Sequence, residues 1–181
     1  SKKLHCYFCA QDFALSSSAL SSKSCYICQE NVCKKCRILF DASSIELWKN
    51  PPELLKGSTY CLPCYEEKIE PQIFKYGEWL EAAKTLNYWP KKYKGRVAEL
   101  RRDESRITIV DKRDKSDVLL ELAFEAIRRG YDSLVDVEVT SKKVRNAGYQ
   151  KMLWSGSGFA ANVDKNWVER QEAREAQAAI F

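Results

Sequence analysis

The chain has 181 residues, with 30 Lys and Arg against 25 Asp and Glu, and a formal charge of +5. That length holds two small domains. No apolar run approaches the roughly 18 residues needed to cross a bilayer, and the single histidine, His5, leaves no Ser/His/Asp triad away from the N-terminus.

All eight cysteines lie in the first 64 residues, as four Cys-x-x-Cys pairs: Cys6/Cys9, Cys25/Cys28, Cys33/Cys36 and Cys61/Cys64. Fifteen, four and twenty-four residues separate the successive pairs. Two thiolates with two residues between them sit on one tight knuckle and reach one ion. Two knuckles complete a tetrahedral four-cysteine site with Zn–S bonds of about 2.3 Å. Four knuckles therefore predict two zinc ions per chain. Both sites are closed, hence structural, because a catalytic zinc keeps a position for water. All-thiolate ligation without a further cluster motif favours zinc over iron. A disulfide framework is the rival reading. It suits a short secreted chain, whereas here the cysteines crowd one end and no leader-like apolar segment is evident.

Four pairs combine in three ways. Joining the second pair to the third needs a very short return across four residues. Joining first to second leaves third and fourth to close a separate loop. The interleaved choice puts Cys6, Cys9, Cys33 and Cys36 on one ion and Cys25, Cys28, Cys61 and Cys64 on the other. It is preferred because neither half then folds alone, but spacing leaves all three open. Between the first two knuckles, Ser16-Ser17-Ser18 and Ser21-Ser22 mark a flexible loop carrying Leu15 and Leu20. Before the last knuckle, Ser44 to Trp48 reads as a short helix start broken by Asn50-Pro51-Pro52.

The order of these pairs, Phe13 four residues after Cys9, and Val32 directly before Cys33 resemble the FYVE zinc-finger superfamily over about residues 4 to 66. The stretch Cys25 to Cys36 is most similar to its rabphilin and synaptotagmin-like branch. The resemblance implies a cross-brace, treble-clef finger with the ions in the interleaved order. Membrane-binding members carry a basic, histidine-rich stretch at the second pair. Here that place reads Ser21-Ser22-Lys23-Ser24-Cys25-Tyr26. The resemblance thus implies a protein-binding module, with a small GTPase among its possible partners, and weak or absent membrane binding. A FYVE-type phosphoinositide adaptor and a RING-like ubiquitin ligase subunit are the alternatives. RING and PHD fingers usually take a histidine ligand, and His5 is read as a bystander.

Charge adds little at this level. Eight metal-bound thiolates and two divalent ions subtract four from the formal +5, leaving +1, so no specific nucleic-acid partner is predicted. Lys34, Lys35 and Arg37 read as neutralisers of the adjacent thiolates. Lys91, Lys92, Lys94 and Arg96 read as a solvated loop.

Residues 67–92 read as a helical linker. Pro71 opens a helix over Gln72 to Asn87 with Ile73, Tyr76, Trp79, Leu80, Ala83 and Leu86 on one face, and Asn87-Tyr88-Trp89-Pro90 ends it. Residues 93–163 read as an α+β domain, a helix on a mainly antiparallel sheet. Strands are expected over Arg96 to Arg101 and Arg106 to Val110. Ser116 caps a helix whose apolar face is Val118, Leu119, Leu122, Ala123, Ala126 and Ile127, and Gly130 stops it. Leu134 to Val139 and Tyr149 to Ala161 are strands around an Asn146-Ala147-Gly148 turn. Ser155-Gly156-Ser157-Gly158 lies within strand pattern and marks a bulge or close backbone packing. Asp164 caps a final helix, 164–181, with Trp167 and Val168 on its apolar side.

Residues 123 to 139, with Gly130-Tyr131-Asp132 and Gly158-Phe159-Ala160, resemble the YbjQ-like family over about residues 94 to 163. That family's label as a heavy-metal binder does not carry over to a stretch without cysteine or histidine. Its ring assemblies imply oligomerisation through this domain. No catalytic constellation emerges, since pairs such as Asp111/Asp114 lie in charged turns. The expectation is a non-enzymatic, zinc-stabilised protein-interaction adaptor, placed in the cytoplasm by its thiol chemistry.

Overall fold

The computed structural model describes residues 5–11, 13 and 22–179. The serine loop with Leu15, Leu20 and Ser21 lies outside the described residues. The chain divides into two compact units, Ser1–Gly77 and Glu78–Phe181, and combines helices with antiparallel and mixed sheets in an α+β chain.

The first unit is built from very short elements. β1 (Ser22–Ser24) pairs antiparallel with β2 (Asn31–Cys33), and β3 (Arg37–Leu39) with β4 (Thr59–Cys61). The long interval before the last knuckle folds as two 3₁₀ turns, Ala42–Ile45 and Glu53–Leu55. The expected helix start at Ser44 is thus a single 3₁₀ turn beginning two residues earlier. Asp41 caps it by accepting from the Ser43 N–H at 2.9 Å. Ile45 and Leu55 in these turns and Trp48 between them are buried, and Tyr60 is fully buried. The Tyr60 hydroxyl donates to the Leu54 carbonyl at 2.6 Å, so its polar end is satisfied where water is absent. Phe40 and Tyr26 meet its ring edge to face, each at 6.2 Å. A side chain on Gly57 would strike the Tyr26 ring at 2.3 Å, so only glycine fits there.

The helix after Cys64 starts earlier than expected. An α-turn at Leu62–Cys64 runs through a π-turn at Tyr65–Ile69 into α1, Glu70–Lys84. Pro71 therefore lies inside the run and does not open it. Its ring has no N–H to give and crowds the carbonyl four residues back. The wider π-turn immediately before it is the local response, a known cause of helix irregularity.

In the second unit, β5 (Asn87–Pro90), β6 (Glu99–Arg102), β7 (Ile107–Lys112), β8 (Ser133–Asn146) and β9 (Tyr149–Val163) form one five-stranded sheet. Helices α2 (Lys115–Arg128) and α3 (Lys165–Ala178) complete it. Asn87–Pro90, read as the end of the helix, is a strand parallel to β8, so the sheet begins inside the segment read as linker. Its aromatic residues suit a pleated surface, and a partner edge was available. β6 and β7 do not form a hairpin with each other. Both pair with β9, β6 beside Ala161–Val163 and β7 beside Trp154–Gly158. The strand expected from Arg96 begins only at Glu99.

The α2 N-cap is Asp114, not Ser116: Asp114 is extended at φ −123°, ψ 146°, and the helix starts one residue later. At the other end the Tyr131 N–H bonds the Ala126 carbonyl at 3.0 Å and the Gly130 N–H bonds Ile127 at 2.9 Å. With Gly130 at φ +87°, this is a Schellman stop. Val118, Leu122, Ala123, Phe124 and Ala126 are the buried face. Leu119 and Ile127 are only half-buried. Phe124, absent from the expected face, is fully buried and meets Trp79 edge to face at 6.0 Å. Asp164 caps α3 as expected, accepting from Asn166 at 2.9 Å, and Trp167 lies 5.5 Å from Trp89.

β9 runs straight through Ser155 to Gly158, and the irregularity sits on its neighbours. β7 carries one extra residue between Ile109 and Lys112, β8 one between Val135 and Glu138. Asp111 (φ 57°) and Asp136 (φ 51°) occupy these bulges in the left-handed region, as short polar side chains tolerate. The Asp111 N–H donates to Ser155 Oγ at 3.1 Å. A Cβ on Gly156 would lie 2.6 Å from Val118 and 3.1 Å from the Glu138 carbonyl, so the glycine is what lets α2 approach the sheet. Gly156→Val is expected to cost about 1–3 kcal/mol by overpacking. Denaturant unfolding followed on Trp fluorescence measures it, and an unchanged midpoint would show that the helix can retreat freely.

Candidate metal centre

Two four-sulfur groups form in the first unit: Cys6, Cys9, Cys33 and Cys36, and Cys25, Cys28, Cys61 and Cys64. Of the three pairings open to the sequence, the fold assembles the interleaved one. Within each group all sulfurs lie within 4.8 Å of one another. The Cys9 and Cys33 sulfurs are 3.6 Å apart, and those of Cys28 and Cys61 are 3.8 Å apart. A tetrahedral ion with Zn–S bonds of about 2.3 Å sets its sulfurs about 3.8 Å apart. The spacing therefore fits a closed tetrahedral metal, and it is far too long for a disulfide, whose S–S bond is about 2.05 Å. All eight cysteines are free thiols. The donor set is complete in both groups, so neither leaves a protein position for a catalytic water.

The two groups are built alike. In each, the first pair forms a knuckle in which the leading cysteine makes two backbone bonds. The Cys6 N–H donates to Gln11 at 2.9 Å and its carbonyl accepts from Ala10 at 3.0 Å. Cys25 donates to Glu30 at 2.9 Å and accepts from Gln29 at 2.9 Å. Ala10 (φ 54°) and Gln29 (φ 62°), each directly after the second cysteine, adopt the left-handed conformation. The residue after the leading cysteine then reaches the partner pair's strand. The Tyr7 N–H bonds the Asn31 carbonyl at 3.0 Å and the Tyr26 N–H bonds Thr59 at 2.9 Å. Asn31 and Thr59 each lie two residues before the leading cysteine of the partner pair.

The second pair of each group comes off a strand end, Cys33 closing β2 and Cys61 closing β4. In both groups the leading cysteines are buried and the trailing ones are not. Phe13 packs with Cys6 and Cys33, and Val32 is fully buried. Because β1 leads to Cys25 while pairing with the strand that ends at Cys33, each group holds a strand of the other's scaffold.

The electrostatics suit thiolate ligation. Burial opposes ionisation of Cys6, but hydrogen bonds from the backbone of Cys33, Cys9 and Phe8 outweigh it and lower its pKa to about 6. Burial likewise opposes ionisation of Cys25, and backbone bonds from Cys61, Cys28 and Ile27 bring it to about 7. Cys36 and Cys61 shift the other way. Hydrogen bonds to the Cys33 and Cys9 sulfurs push Cys36 up to about 12. Burial first, then hydrogen bonds among the Cys64, Cys25 and Cys28 sulfurs, raise Cys61.

Compared with protein-family models, curated proteins and solved structures, the chain matches none. Among the described residues no helix is long and apolar enough to cross a membrane. His5 is exposed and belongs to neither sulfur group.

Two predictions follow from this geometry. Cys6→Ser and Cys33→Ser should loosen the same ion, and Cys25→Ser and Cys61→Ser the other. Metal retention per chain after dialysis checks this, and a shared loss between Cys6→Ser and Cys25→Ser would contradict the assembled groups. The protons on Cys36 and Cys61 must leave when an ion binds, so a fall in pH favours the protonated, metal-free form. Affinity should drop about tenfold per pH unit for each proton released. Chelator competition at two pH values reads the slope, and a pH-independent affinity would rule out thiolate ligation.

Proposed function

We propose that this chain is a non-enzymatic protein-interaction adaptor whose N-terminal unit is a FYVE-like cross-brace finger held by two structural zinc ions. The supporting observation is the pair of closed, interleaved four-sulfur groups. Zinc bound there supplies folding energy, as in other small metal-dependent domains. Cys6, Cys9, Cys33 and Cys36 hold one ion, and Cys25, Cys28, Cys61 and Cys64 the other. Nothing about these sites invites substrate, since both are saturated by protein ligands.

The finger unit keeps large apolar side chains in water. Tyr7 and Phe8 stack edge to face at 5.1 Å on the first knuckle and remain 56% and 40% exposed. Leu39, Leu62 and Phe74 are also exposed. Aromatic anchors of this kind are the usual energetic centres of protein interfaces. They support a protein partner, with a small GTPase as the suggestion of the rabphilin-like resemblance. Beside the second knuckle Lys23 is the one basic residue between Ser21 and Tyr26, too little charge for a phosphoinositide headgroup. The α+β unit serves as a metal-independent scaffold. A reducing, cytoplasmic setting fits the thiol ligands.

Chelation of the full chain tests the reading directly. Amide exchange should accelerate across residues 22–66 on metal removal, while α2, β8 and β9 keep their protection. Uniform loss of protection would mean one cooperative body. Protection unchanged everywhere would mean that the metals do not hold the finger. Capture by the full chain, compared with a Cys6→Ser/Cys25→Ser variant, should then yield a partner that depends on the intact finger. Liposome sedimentation should show no gain on adding a 3-phosphoinositide. Headgroup-dependent binding lost in Lys23→Glu would restore the membrane adaptor.

A further inference from the structure

The β8–β9 hairpin outruns its neighbours. β5 last pairs with β8 at Val137, and β7 last pairs with β9 at Trp154. From Lys142↔Leu153 to Asn146↔Tyr149 the two strands pair only with each other. Five residues per strand at roughly 3.4 Å carry this ribbon about 17 Å past the sheet. Ala147 (φ 46°) and Gly148 (φ 89°) close it in the two-residue turn that matches strand twist. A lone two-stranded ribbon is marginal in water, and its open edges invite pairing.

Its charge is of one sign. No Asp or Glu occurs from Val139 to Val163, whereas Lys142, Lys143, Arg145 and Lys151 all lie on the free ribbon and are exposed. Lys142 reaches back to Asp111 at 2.8 Å. Among the described residues, Lys143, Arg145 and Lys151 have no acidic partner. Directly paired residues share a face. Lys142 and Lys151 therefore stand on one face, and Lys143 and Arg145 on the other. The exposed apolar groups split the same way, Tyr149 with the first pair of cations and Met152 with the second. At the ribbon's root a groove of about 430 Å³ is lined by Lys91, Lys92, Lys115 and Tyr88 and extends to Thr140. Glu138 also lines it and pairs with Lys91 at 3.2 Å, so Lys92 and Lys115 are what extend the cationic surface from ribbon to body.

The distribution selects the occupant. A membrane plane meets one face, leaving two cations and one apolar anchor turned away. A single strand of nucleic acid is met by one face as well. A second copy of the ribbon would set like charges side by side, which is destabilising. A duplex groove has phosphates on both walls, and the major groove, about 12 Å wide, admits a two-stranded ribbon. We propose that the β8–β9 ribbon is a duplex nucleic-acid-binding arm, inserted in the groove with Lys142 and Lys151 toward one phosphate wall and Lys143 and Arg145 toward the other. This goes beyond the finger's adaptor role and does not rest on it.

The test is fluorescence anisotropy of the metal-loaded full chain with a labelled DNA duplex. Binding is expected at low salt and should weaken with a log–log slope of about −3 to −4, for roughly four phosphate contacts. Lys143→Glu/Arg145→Glu/Lys151→Glu should lose at least about tenfold in affinity, as expected for removing several phosphate contacts. The control Lys165→Glu/Arg170→Glu/Arg174→Glu on α3 changes the net charge equally and should bind as the parent does. If circular dichroism shows the ribbon variant misfolded, the matching Lys/Arg→Gln triple is read in its place. No duplex binding at low salt overturns the proposal. So does an equal loss in both triples, which would make the lysines simple edge protection. Tighter or equal binding to a single strand or to anionic vesicles overturns it too, as does a ribbon variant that changes only the oligomeric state in sedimentation.

Discussion

Two groups of four sulfurs constrain the first unit more tightly than any apolar contact in it. Its strands are three residues each, far too short to persist alone, and its turns are 3₁₀. What keeps them in register is that each must deliver a cysteine to a point already occupied by a sulfur from a distant segment. β2 and β4 end on cysteines, and the first turn of the helical run after β4, Leu62–Cys64, ends on one. The apolar cluster around Tyr60 fills the one interval too long for the ligands to organise. An ion at each group would tie metal binding to folding in this unit, whereas the second unit buries its own core.

The sulfur groups also show an internal repeat. Cys-Tyr-x-Cys occurs at both Cys6 and Cys25, and the backbone bonds around the two copies match one for one. Each tyrosine's N–H finds the residue two before the partner cysteine. The shared tyrosine is not explained by the backbone bond, which any residue but proline makes. Tyr26 has a structural use, its hydroxyl donating to Glu53 at 3.0 Å and its ring meeting Tyr60. Tyr7 stays exposed. Both tyrosines remain at the surface, Tyr26 38% and Tyr7 56% exposed.

In the second unit the organising feature is β9, which pairs with three strands. β6 and β7 lie end to end along one edge of it, and β8 takes the other. Both strands beside β9 bulge close to Gly156, where α2 approaches the sheet. Past that point α2, β5 and β7 no longer cover the hairpin. The free ribbon is a direct result of two strands being longer than anything packed against them.

How much of this was legible in the sequence follows from the range of the forces involved. The eight ligands were readable because Cys-x-x-Cys is a local geometry, set by the reach of two side chains to one ion. The helix with its Gly130 stop, the Asp164 cap and the Asn146–Gly148 turn were readable because caps and turns are fixed by a few adjacent residues. For the pairing of the knuckles spacing left three options with the interleaved one preferred, and the folded chain forms that one by bringing Cys9 to Cys33 and Cys28 to Cys61. Asn87–Pro90 read as a stop because Pro90 breaks helices, yet it became a strand once β8 offered an edge. Arg96 to Arg101 and Arg106 to Val110 read as two successive strands, yet the strands that form, Glu99–Arg102 and Ile107–Lys112, pair with β9 and not with each other. Phe124 was missed because its partner, Trp79, is 45 residues away. The sequence by itself determined the metal ligands and the local starts and stops. The tertiary structure decided which knuckles share an ion, which strands are neighbours and where a charged hairpin is left uncovered, because those depend on contacts between segments that no local spacing specifies.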